Sequence, residues 1–402
     1  MELVNKIIII LISLLIGMKN KYFKRNKKNY KKRVLILFSG IIGDSVCFLD
    51  SKDHYKEIFS QYSITYAFKP EVHKFYRACG IGKEDTVFEL DFNRYCRDLK
   101  YYRLINKEIS KVNYSYIVSP QKSISAAIVS LNLQGKEKIS LNYSIKVKNK
   151  LYSLIYFLAF TKTVKTSKEC TIIKGMNLIL NHYSDDFIPA CMPKIPKFNK
   201  EVSSDLKKQK YCVICPTSSR FEKEWNLINY TEIINNLIDL GFNIYLCGSE
   251  IEEDKIRELY RGVKNPKQIV NVLGKTNFNQ WIEIIRNSYI VIGCDSASIH
   301  IAAATNTYSI CILGGMDNNL IYPYKLDKIG ENEYLPVCVT CDKLQCFGCR
   351  RISGKYGDKN YECTKLIKNK QSILCIKNIT VEQVWDKIEE ILKRKRGKNE
   401  FK

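Results

Sequence analysis

The chain has 402 residues, which is long enough for two domains of ordinary size that each bury a core. Hydrophobic residues make up 45% of it and charged residues 26%, a composition that excludes wholesale disorder. The formal net charge of +24 predicts an anionic partner: a nucleic acid, an acidic membrane or a phosphorylated substrate. Many of the 16 cysteines lie in apolar, strand-like runs, where a thiol packs as a small hydrophobic group, and this favours a reducing cytoplasm.

The N-terminal region joins an apolar run to a polybasic run. Residues 7–18 read IIIILISLLIGM, and residues 19–33 carry nine lysines and arginines and no acid. The apolar run is short for a transmembrane helix, but with the cations it forms the two-signal arrangement that holds proteins on an anionic leaflet. We expect residues 1–32 to be a monotopic or single-pass anchor at the cytoplasmic side of the inner (plasma) membrane. The alternative is a basic nucleic-acid tail, although such tails do not open on an apolar run.

The first half of the globular part is the less regular one. Strands are expected at 34–38, 64–68 and 116–119. The first strand runs into the glycine turn SGIIGD, and residues 141–182 are expected to be mainly helical. Three prolines and many polar residues between 184 and 210 indicate a linker. We therefore expect an N-terminal domain at 33–200 and a C-terminal domain at 201–402.

In the second half, apolar strands alternate with helices. Strands are expected at 211–215, 243–248, 268–274, 289–293 and 309–315, and helices at 230–240, 250–260 and 278–288. Asn229-x-x-Glu232 and Asn277-x-x-Gln280 resemble capping boxes at helix starts. The alternation predicts a parallel sheet covered on both faces. Because ligands of such sheets bind beyond the carboxyl ends of the strands, functional residues are expected directly after each strand.

Polar and charged residues follow three of these strands. They are Ser218, Ser219, Arg220 and Lys223 after the first, Glu252 after the second, and Asp295, Ser296 and His300 after the fourth. Hydroxyls, cations and free helix N–H groups suit a diphosphate, and an acid suits a ribose; a polar surface loop and helix caps are the alternatives. A lone histidine is more often a core residue than a ligand. In the first half, Asp44 of SGIIGD is either a helix cap or a general base.

Taken together, these loops resemble glycosyltransferase family 9, the bacterial heptosyltransferases of lipopolysaccharide core synthesis. The resemblance is carried by SGIIGD, PTSSRFEKEW, CGSEIEE, the junction GCDSASIHIAAAT and LGG. It covers the second half nearly continuously and the first half mainly at its first strand and turn. It implies an α/β GT-B fold, with two Rossmann-like doubly wound domains facing across a cleft. It also implies an inverting transfer without a catalytic metal, with an ADP-sugar as donor and heptose as the expected sugar.

The resemblance also assigns roles to individual residues. Asp44 matches the catalytic base and Lys223 the lysine that neutralises the donor diphosphate. The other matching positions are Ser218 and Ser219 at the phosphates, Glu252 near the ribose, and Asp295, Ser296, Ala297 and His300 at the diphosphate and sugar. Ala297 replaces the family's usual glycine, and its methyl group narrows the approach of a phosphate to the backbone. Asn226 replaces a usual proline at a helix start.

Two further groups of residues are candidates for binding. Lys74 and Arg77 are candidate contacts for an anionic acceptor, with a solvated basic surface as the alternative. Cys338, Cys341, Cys346 and Cys349 have the spacing C-x2-C-x4-C-x2-C inside a cysteine-rich insertion at 338–375. Paired C-x-x-C motifs suit a structural zinc ion, although the gap between these pairs is shorter than in zinc ribbons.

The sequence thus predicts a membrane-associated transferase of a sugar from a nucleotide-sugar to a lipid-linked, often phosphorylated acceptor. Within the same class, the donor could be another nucleotide sugar and the acceptor another glycan. From a different class, a basic nucleic-acid-binding protein is the alternative; it should show cations and aromatic residues clustered on one face. Here the cations concentrate beside the apolar run instead, so no nucleic-acid partner is expected.

Overall fold

The computed structural model describes residues 2–22, 32–83, 85–143, 150–167, 170–197, 209–344, 346–349 and 361–399. The chain divides into two compact units, Met1–Cys191 and Met192–Lys402. Each unit contains one six-stranded sheet, and all the strand pairs described are parallel. The predicted α/β fold class is therefore confirmed. The predicted domain boundary at 200/201 lies outside the described residues.

The sheet of the first unit has the strand order β3-β2-β1-β4-β5-β6. Its strands are β1 (Arg33–Phe38), β2 (Ser63–Phe68), β3 (Thr86–Glu89), β4 (Tyr114–Ser119), β5 (Gly135–Tyr143) and β6 (Lys162–Thr166). Its helices are α1 (Glu2–Tyr22), α2 (Ile42–Lys52), α3 (His54–Ile58), α4 (Pro70–Ala78), α5 (Phe92–Tyr95), α6 (Leu99–Ile109), α7 (Ile124–Leu131), α8 (Lys150–Ala159) and α9 (Ile172–Leu180). The central strand β1 is buried along nearly its whole length, as its apolar sequence predicts.

The three strands expected in the first half are present, but the structure corrects the region 141–182. This region was expected to be mainly helical, and it contains the end of β5 and the edge strand β6 as well as two helices. Strand β6 reads KTVKT and is mostly exposed. The sequence of β6 lacks the apolar residues that indicate a buried strand. An edge strand pairs with a neighbour on one side only, so most of its side chains can stay exposed.

The first helix is part of the first unit rather than a detached segment. Ile9, Ser13, Leu14 and Gly17 are buried, and the Ser13 hydroxyl lies 3.2 Å from the Tyr102 hydroxyl of α6. A Cβ atom at Gly17 would overlap the Leu131 side chain, so glycine permits the close approach of α1 to α7. No helix among the described residues is both long and apolar enough to cross a membrane. Residues 23–31 of the predicted anchor lie outside the described part.

The sheet of the second unit has the order β12-β11-β10-β7-β8-β9. Its strands are β7 (Tyr211–Cys215), β8 (Asn243–Leu246), β9 (Ile269–Asn271), β10 (Val291–Cys294), β11 (Ser309–Ile312) and β12 (Val337–Val339). Its helices are α10 (Leu227–Asp239), α11 (Glu253–Tyr260), α12 (Phe278–Arg286), α13 (Ala297–Ala304), α14 (Tyr361–Lys368), α15 (Leu374–Lys377) and α16 (Val381–Asn399). Strands β11, β10, β7 and β8 are direct neighbours, so the loops at their carboxyl ends share one edge.

The helix starts of this unit confirm one predicted cap and correct the other. The Asn277 side chain accepts from the Gln280 N–H at 3.0 Å, and the Gln280 side chain accepts from the Asn277 N–H at 3.0 Å, which completes the predicted capping box. Helix α10, in contrast, begins before Asn229. Its cap is Asn226, whose side chain accepts from the Ile228 N–H at 3.0 Å. Asn226 has the short side-chain acceptor that a cap requires, so it is as good a cap candidate by residue type as Asn229.

Candidate active site

Trp225, two positions after Lys223, holds Lys223 in place. The lysine closes a short 3₁₀ turn, Phe221–Lys223, in the loop after β7. Trp225 is 2% exposed, and its indole Nε1–H donates to the Ile379 carbonyl at 2.9 Å. A tryptophan that is packed and hydrogen-bonded in this way fixes the loop relative to the sheet. The lysine therefore has a defined position at the carboxyl edge.

The Lys223 ammonium group lies between two carboxylates that come from other loops. Its Nζ is 2.6 Å from Asp295 Oδ2 and 3.2 Å from Asp317 Oδ2. Asp295 follows β10 and Asp317 follows β11, so the three side chains come from the carboxyl ends of three neighbouring strands. All three are largely shielded from solvent, with side-chain exposures of 13%, 5% and 10%. The structure thus brings the predicted pair Lys223 and Asp295 together.

The charges of this cluster shift the pKa values of its members. Burial lowers the pKa of Lys223, but the nearby carboxylates of Asp295 and Asp317 outweigh it and hold that pKa above its ordinary value. Burial raises the pKa of Asp317, Lys223 opposes this, and the neighbouring charge of Asp295 adds to the rise. The lysine is therefore fully charged at neutral pH, and Asp317 takes up a proton more readily than an isolated aspartate does.

His300 joins the cluster from the second turn of α13. Its Nε2 is 3.9 Å from Asp295 Oδ1, and its Nδ1 is hydrogen-bonded to the Tyr324 hydroxyl. Its ring stacks on Tyr322 at a centroid distance of 4.9 Å. Burial lowers the pKa of His300 to about 4, an effect that the Asp295 charge only partly opposes. His300 is therefore a neutral, oriented imidazole at physiological pH. It is buried, as a core residue would be, and its role in a donor site stays a prediction.

The start of α13 carries unpaired polar groups. Ser296 is the N-cap residue, but its hydroxyl makes no cap hydrogen bond, and its buried Oγ has no hydrogen-bond partner among the described residues. The same holds for the buried hydroxyl of Thr217 in the loop after β7. Ala297, half-buried, is the first residue of the helix. A helix N-terminus with a free hydroxyl beside it is suited to hold an anion.

The remaining predicted donor residues line the same edge but are more exposed. The Ser218 N–H donates to Glu224 at 3.1 Å, and Ser219 is exposed. The Arg220 guanidinium is paired with Glu222 at 2.8 Å. Glu252, after β8, accepts from the Ser249 N–H at 2.7 Å and completes a capping box there. These groups are available at the surface, whereas the Lys223 cluster is enclosed.

In the first unit, Asp44 sits at the third position of α2, just after β1. Its Oδ2 accepts from the Ile41 backbone N–H at 3.0 Å, as the predicted cap requires, and the residue is half-buried. A Cβ atom at Gly40 would come within 2.7 Å of Asp44 Cβ, so this tight turn depends on glycine. The carboxylate is thus oriented by its own helix start at the carboxyl edge of the first sheet.

The family model described as glycosyltransferase family 9 (heptosyltransferase) matches residues 102–342, more than half of the chain. The chain belongs to glycosyltransferase family 9. The match covers the Lys223 cluster, Glu252 and α13, whereas Asp44 lies outside it. The predicted family and the prediction of a glycosyltransferase are therefore confirmed.

Curated relatives of this family-9 chain include two forms of lipopolysaccharide heptosyltransferase 3 from Escherichia coli. One is 24% identical over 57% of this chain and 67% of its own length. The other, from strain K12, is 25% identical over 54% of this chain and 64% of its own length. The aligned regions thus span about two thirds of these relatives.

The solved structure of E. coli heptosyltransferase WaaC with ADP-2-deoxy-2-fluoro heptose resembles this chain with a TM-score of 0.62. The likeness covers 89% of this chain and 99% of that one, at 16% sequence identity. At this identity the comparison shows the fold alone, and it confirms the predicted GT-B class.

The structure places the predicted acceptor contacts of this family-9 protein on α4. Lys74 and Arg77 are both exposed there, three positions apart on one face of the helix. A solvated basic face and a binding face would look alike at this point. Their role as acceptor contacts therefore stays a prediction.

Ten of the 16 cysteines are buried. Cys338 lies in β12 directly opposite Cys311 of β11, and Cys349 is exposed. Farther along, the Cys375 thiol accepts from the Gly315 N–H at 3.2 Å. No group of three or more His, Cys, Asp or Glu side chains in the described ranges is arranged to hold a metal ion. The structural zinc site at Cys338, Cys341, Cys346 and Cys349 stays a prediction.

Sequence reasoning missed three members of the cluster. Asp317 follows β11 in the stretch LGGMD, so the rule that selects residues after each strand would have found it, had it been applied to the last predicted strand. Tyr322 and Tyr324 stack on each other at 5.2 Å and flank His300. Their stretch IYPYK follows no strand and has no periodicity, so only the folded chain reveals them.

Proposed function

We propose that this chain is an inverting, metal-independent glycosyltransferase that transfers heptose from an ADP-sugar to a lipopolysaccharide-core or other lipid-linked acceptor. The observation that carries the proposal is the enclosed Lys223 cluster beside the free N-terminus of α13, in a chain of family 9. The names of the curated relatives and the ADP-heptose analogue bound to WaaC support the donor and the acceptor.

The proposed donor site uses charge that is already in place. The diphosphate would lie at the start of α13, where the backbone N–H groups and the Ser296 hydroxyl are available, with Lys223 beside it. An arriving diphosphate raises the pKa of Asp317 further, and protonation of Asp317 frees part of the Lys223 ammonium for the phosphate. Negative charge builds on the leaving ADP in the transition state, and fixed cations and dipoles stabilise it there.

The proposed base is Asp44. Its carboxylate takes the proton of the acceptor hydroxyl while that oxygen forms a bond to the anomeric carbon and the bond from that carbon to ADP breaks. A single displacement of this kind inverts the anomeric centre. The Ile41 N–H contact orients this carboxylate at the carboxyl edge of the first sheet.

We also propose that residues 1–32 hold the enzyme at the cytoplasmic face of the inner membrane. The acceptor is lipid-linked in this proposal, so the enzyme and its substrate then share one surface. The polybasic run at 19–33 favours an anionic leaflet. The exposed cations Lys74 and Arg77 are proposed to contact anionic groups of the acceptor.

Two alternatives give different results in one screen. Another nucleotide sugar on the same fold is the alternative within the class, and a basic nucleic-acid-binding protein is the alternative outside it. Calorimetry of the full chain with ADP-heptose, other ADP-sugars and UDP-sugars, and with duplex and single-stranded nucleic acid, separates the three. We expect ADP-heptose to bind and Lys223→Ala to weaken it at least tenfold, with Lys255→Ala as the matched control. Binding of nucleic acid alone would refute the proposal.

The cysteine-rich insertion needs a separate measurement. Metal analysis of protein purified without chelators, repeated after Cys341→Ser and Cys349→Ser, tests the structural zinc site. About one zinc ion per chain that both substitutions remove is the expected result. Protein free of zinc, or zinc retained in both variants, would exclude the site without affecting the proposed transfer reaction.

A further inference from the structure

Helices α1 and α8 lie side by side over α7 in the first unit. Helix α1 packs one face inward through Ile9, Ser13 and Gly17. Helix α8 buries Ile155 and Leu158 in the same core, and the Lys21 ammonium of α1 lies 3.3 Å from the centre of the Phe157 ring of α8. The inner faces of the two helices therefore pack on the same core, and their other faces point outward.

The outward faces of these two helices are strongly apolar. On α1, Leu3, Ile7, Leu11, Leu15 and Met18 recur at steps of three and four residues, and they are 40–71% exposed. These positions lie nearly opposite Ile9, Ser13 and Gly17 around the helix, at 100° per residue. On α8, Leu151, Leu154 and Phe157 are 41–57% exposed. Eight exposed apolar side chains on two neighbouring helices are unusual on a protein that meets only water.

Cations accompany this surface and acids are nearly absent from it. Helix α1 carries Glu2 as its only acid, and that carboxylate is paired with Arg97 at 3.1 Å; α8 carries no acid. The polybasic run at 19–33 begins in the last turn of α1 and continues beyond it in the sequence, and Lys146, Lys148 and Lys150 precede or open α8. An apolar face flanked by lysines matches the boundary between the headgroups and acyl chains of an anionic bilayer.

We propose that the outward faces of α1 and α8 together form a membrane-binding surface, referred to below as the α1/α8 face, that lies in the plane of an anionic lipid leaflet. Helix α1 stays docked while it does so. The Asn132 side chain donates to Ser13 at 3.0 Å, and the Asn20 side chain donates to the Leu131 carbonyl at 3.0 Å. A spanning orientation would break these buried hydrogen bonds and uncover α7. This refines the proposed membrane location, on which it rests, but it does not depend on the proposed chemistry.

The test measures binding of the full chain to vesicles of phosphatidylethanolamine and phosphatidylglycerol, with phosphatidylcholine vesicles for comparison. The double variant Leu11→Gln/Leu154→Gln changes one exposed residue on each helix. The matched control, Ile228→Gln/Ile251→Gln, changes two exposed apolar residues of the second unit. We expect the first variant to lower partitioning into anionic vesicles at least tenfold and the control to leave it within twofold. Circular dichroism melting of both variants checks that the fold is retained.

The outcomes separate this inference from the broader proposal. If the double variant binds as well as the wild type, the α1/α8 face is not the contact. A loss of binding only after Lys24, Arg25, Lys27 and Lys28 are changed to Gln would then assign the membrane location to the polybasic run alone. If the full chain binds no anionic vesicle, both the face and the proposed location fail, while donor binding can still be measured. If light scattering shows that the double variant converts a dimer into a monomer without changing lipid binding, the face is an interface between copies instead.

Discussion

Asp44 and Lys223 each follow a central strand of a parallel sheet, but the chain holds them in different ways. Asp44 is fixed by its own helix start, through a backbone group three residues away. Lys223 is fixed by two carboxylates that are 72 and 94 residues away in the sequence. Asp44 is half-buried, whereas the Lys223 side chain is 13% exposed. A local cap can be altered with little cost to the fold, whereas removing the cation of a buried ion cluster is costly.

This contrast predicts that Asp44→Asn separates chemistry from stability. Asparagine still accepts from the Ile41 N–H, but it cannot take up the acceptor proton. We expect turnover to fall by about 10²–10⁴-fold, with donor affinity and melting temperature nearly unchanged. Asp44→Ala should add the loss of a cap, on the order of 1 kcal/mol. Full turnover in Asp44→Asn would rule out Asp44 as the base and leave the fold assignment intact.

The largest effect on stability is expected at Lys223. Lys223→Met leaves the buried carboxylates of Asp295 and Asp317 without their cation, which should cost about 3–5 kcal/mol of unfolding free energy. The matched control is Lys255→Met, because the Lys255 side chain is 48% exposed and pairs with Glu224 at 2.9 Å. That change should cost less than about 1 kcal/mol. Urea unfolding of both variants measures the difference, and equal losses would contradict the contrast.

His300 should make the stability of the second unit depend on pH. Its folded pKa of about 4 lies below the ordinary value of 6.5, so the unfolded chain binds more protons in this range. Stability is therefore lost as pH falls from about 6.5 towards about 4. Between pH 7 and pH 5 the His300 share of this loss is on the order of 2 kcal/mol. Urea unfolding at both pH values should show a smaller loss in His300→Gln, and an identical loss would refute the assignment.

The smallest effect is expected at Asp317. Burial raises the pKa of Asp317, so the neutral carboxyl group is more favoured in the folded protein than in water. The ionised form therefore partly destabilises the fold. Asp317→Asn keeps the shape and removes that charge, and we expect the unfolding free energy to change by less than about 1 kcal/mol. Donor affinity is the second measurement. We expect it to be retained or raised, because the diphosphate no longer competes with the Asp317 carboxylate for the Lys223 ammonium group. A loss as large as that of Lys223→Met would make Asp317 an essential partner of the lysine.

The same contrast explains what could be predicted from the sequence. Local sequence patterns were enough to predict the buried strands, the Asn277 capping box and the two alternatives for Asp44, a helix cap or a general base. The rule for the carboxyl ends of strands, together with the family resemblance, brought Lys223 and Asp295 to one edge before the fold was known. The pairing of Lys223 with Asp317 needed the sheet order, which puts β11, β10 and β7 side by side. Exposed edge strands such as β6 leave almost no apolar pattern to read.

The docking of α1 also has a consequence for the order in which the chain is made. Asn20 reaches its partner carbonyl on Leu131 across 111 residues of sequence. At a synthesis rate of about 5–20 residues per second, that stretch takes roughly 5 to 20 seconds to emerge. During this interval the apolar face of α1 and the polybasic run behind it exist without α7. An anionic leaflet can therefore bind the outer face of this helix several seconds before the N-terminal unit is complete.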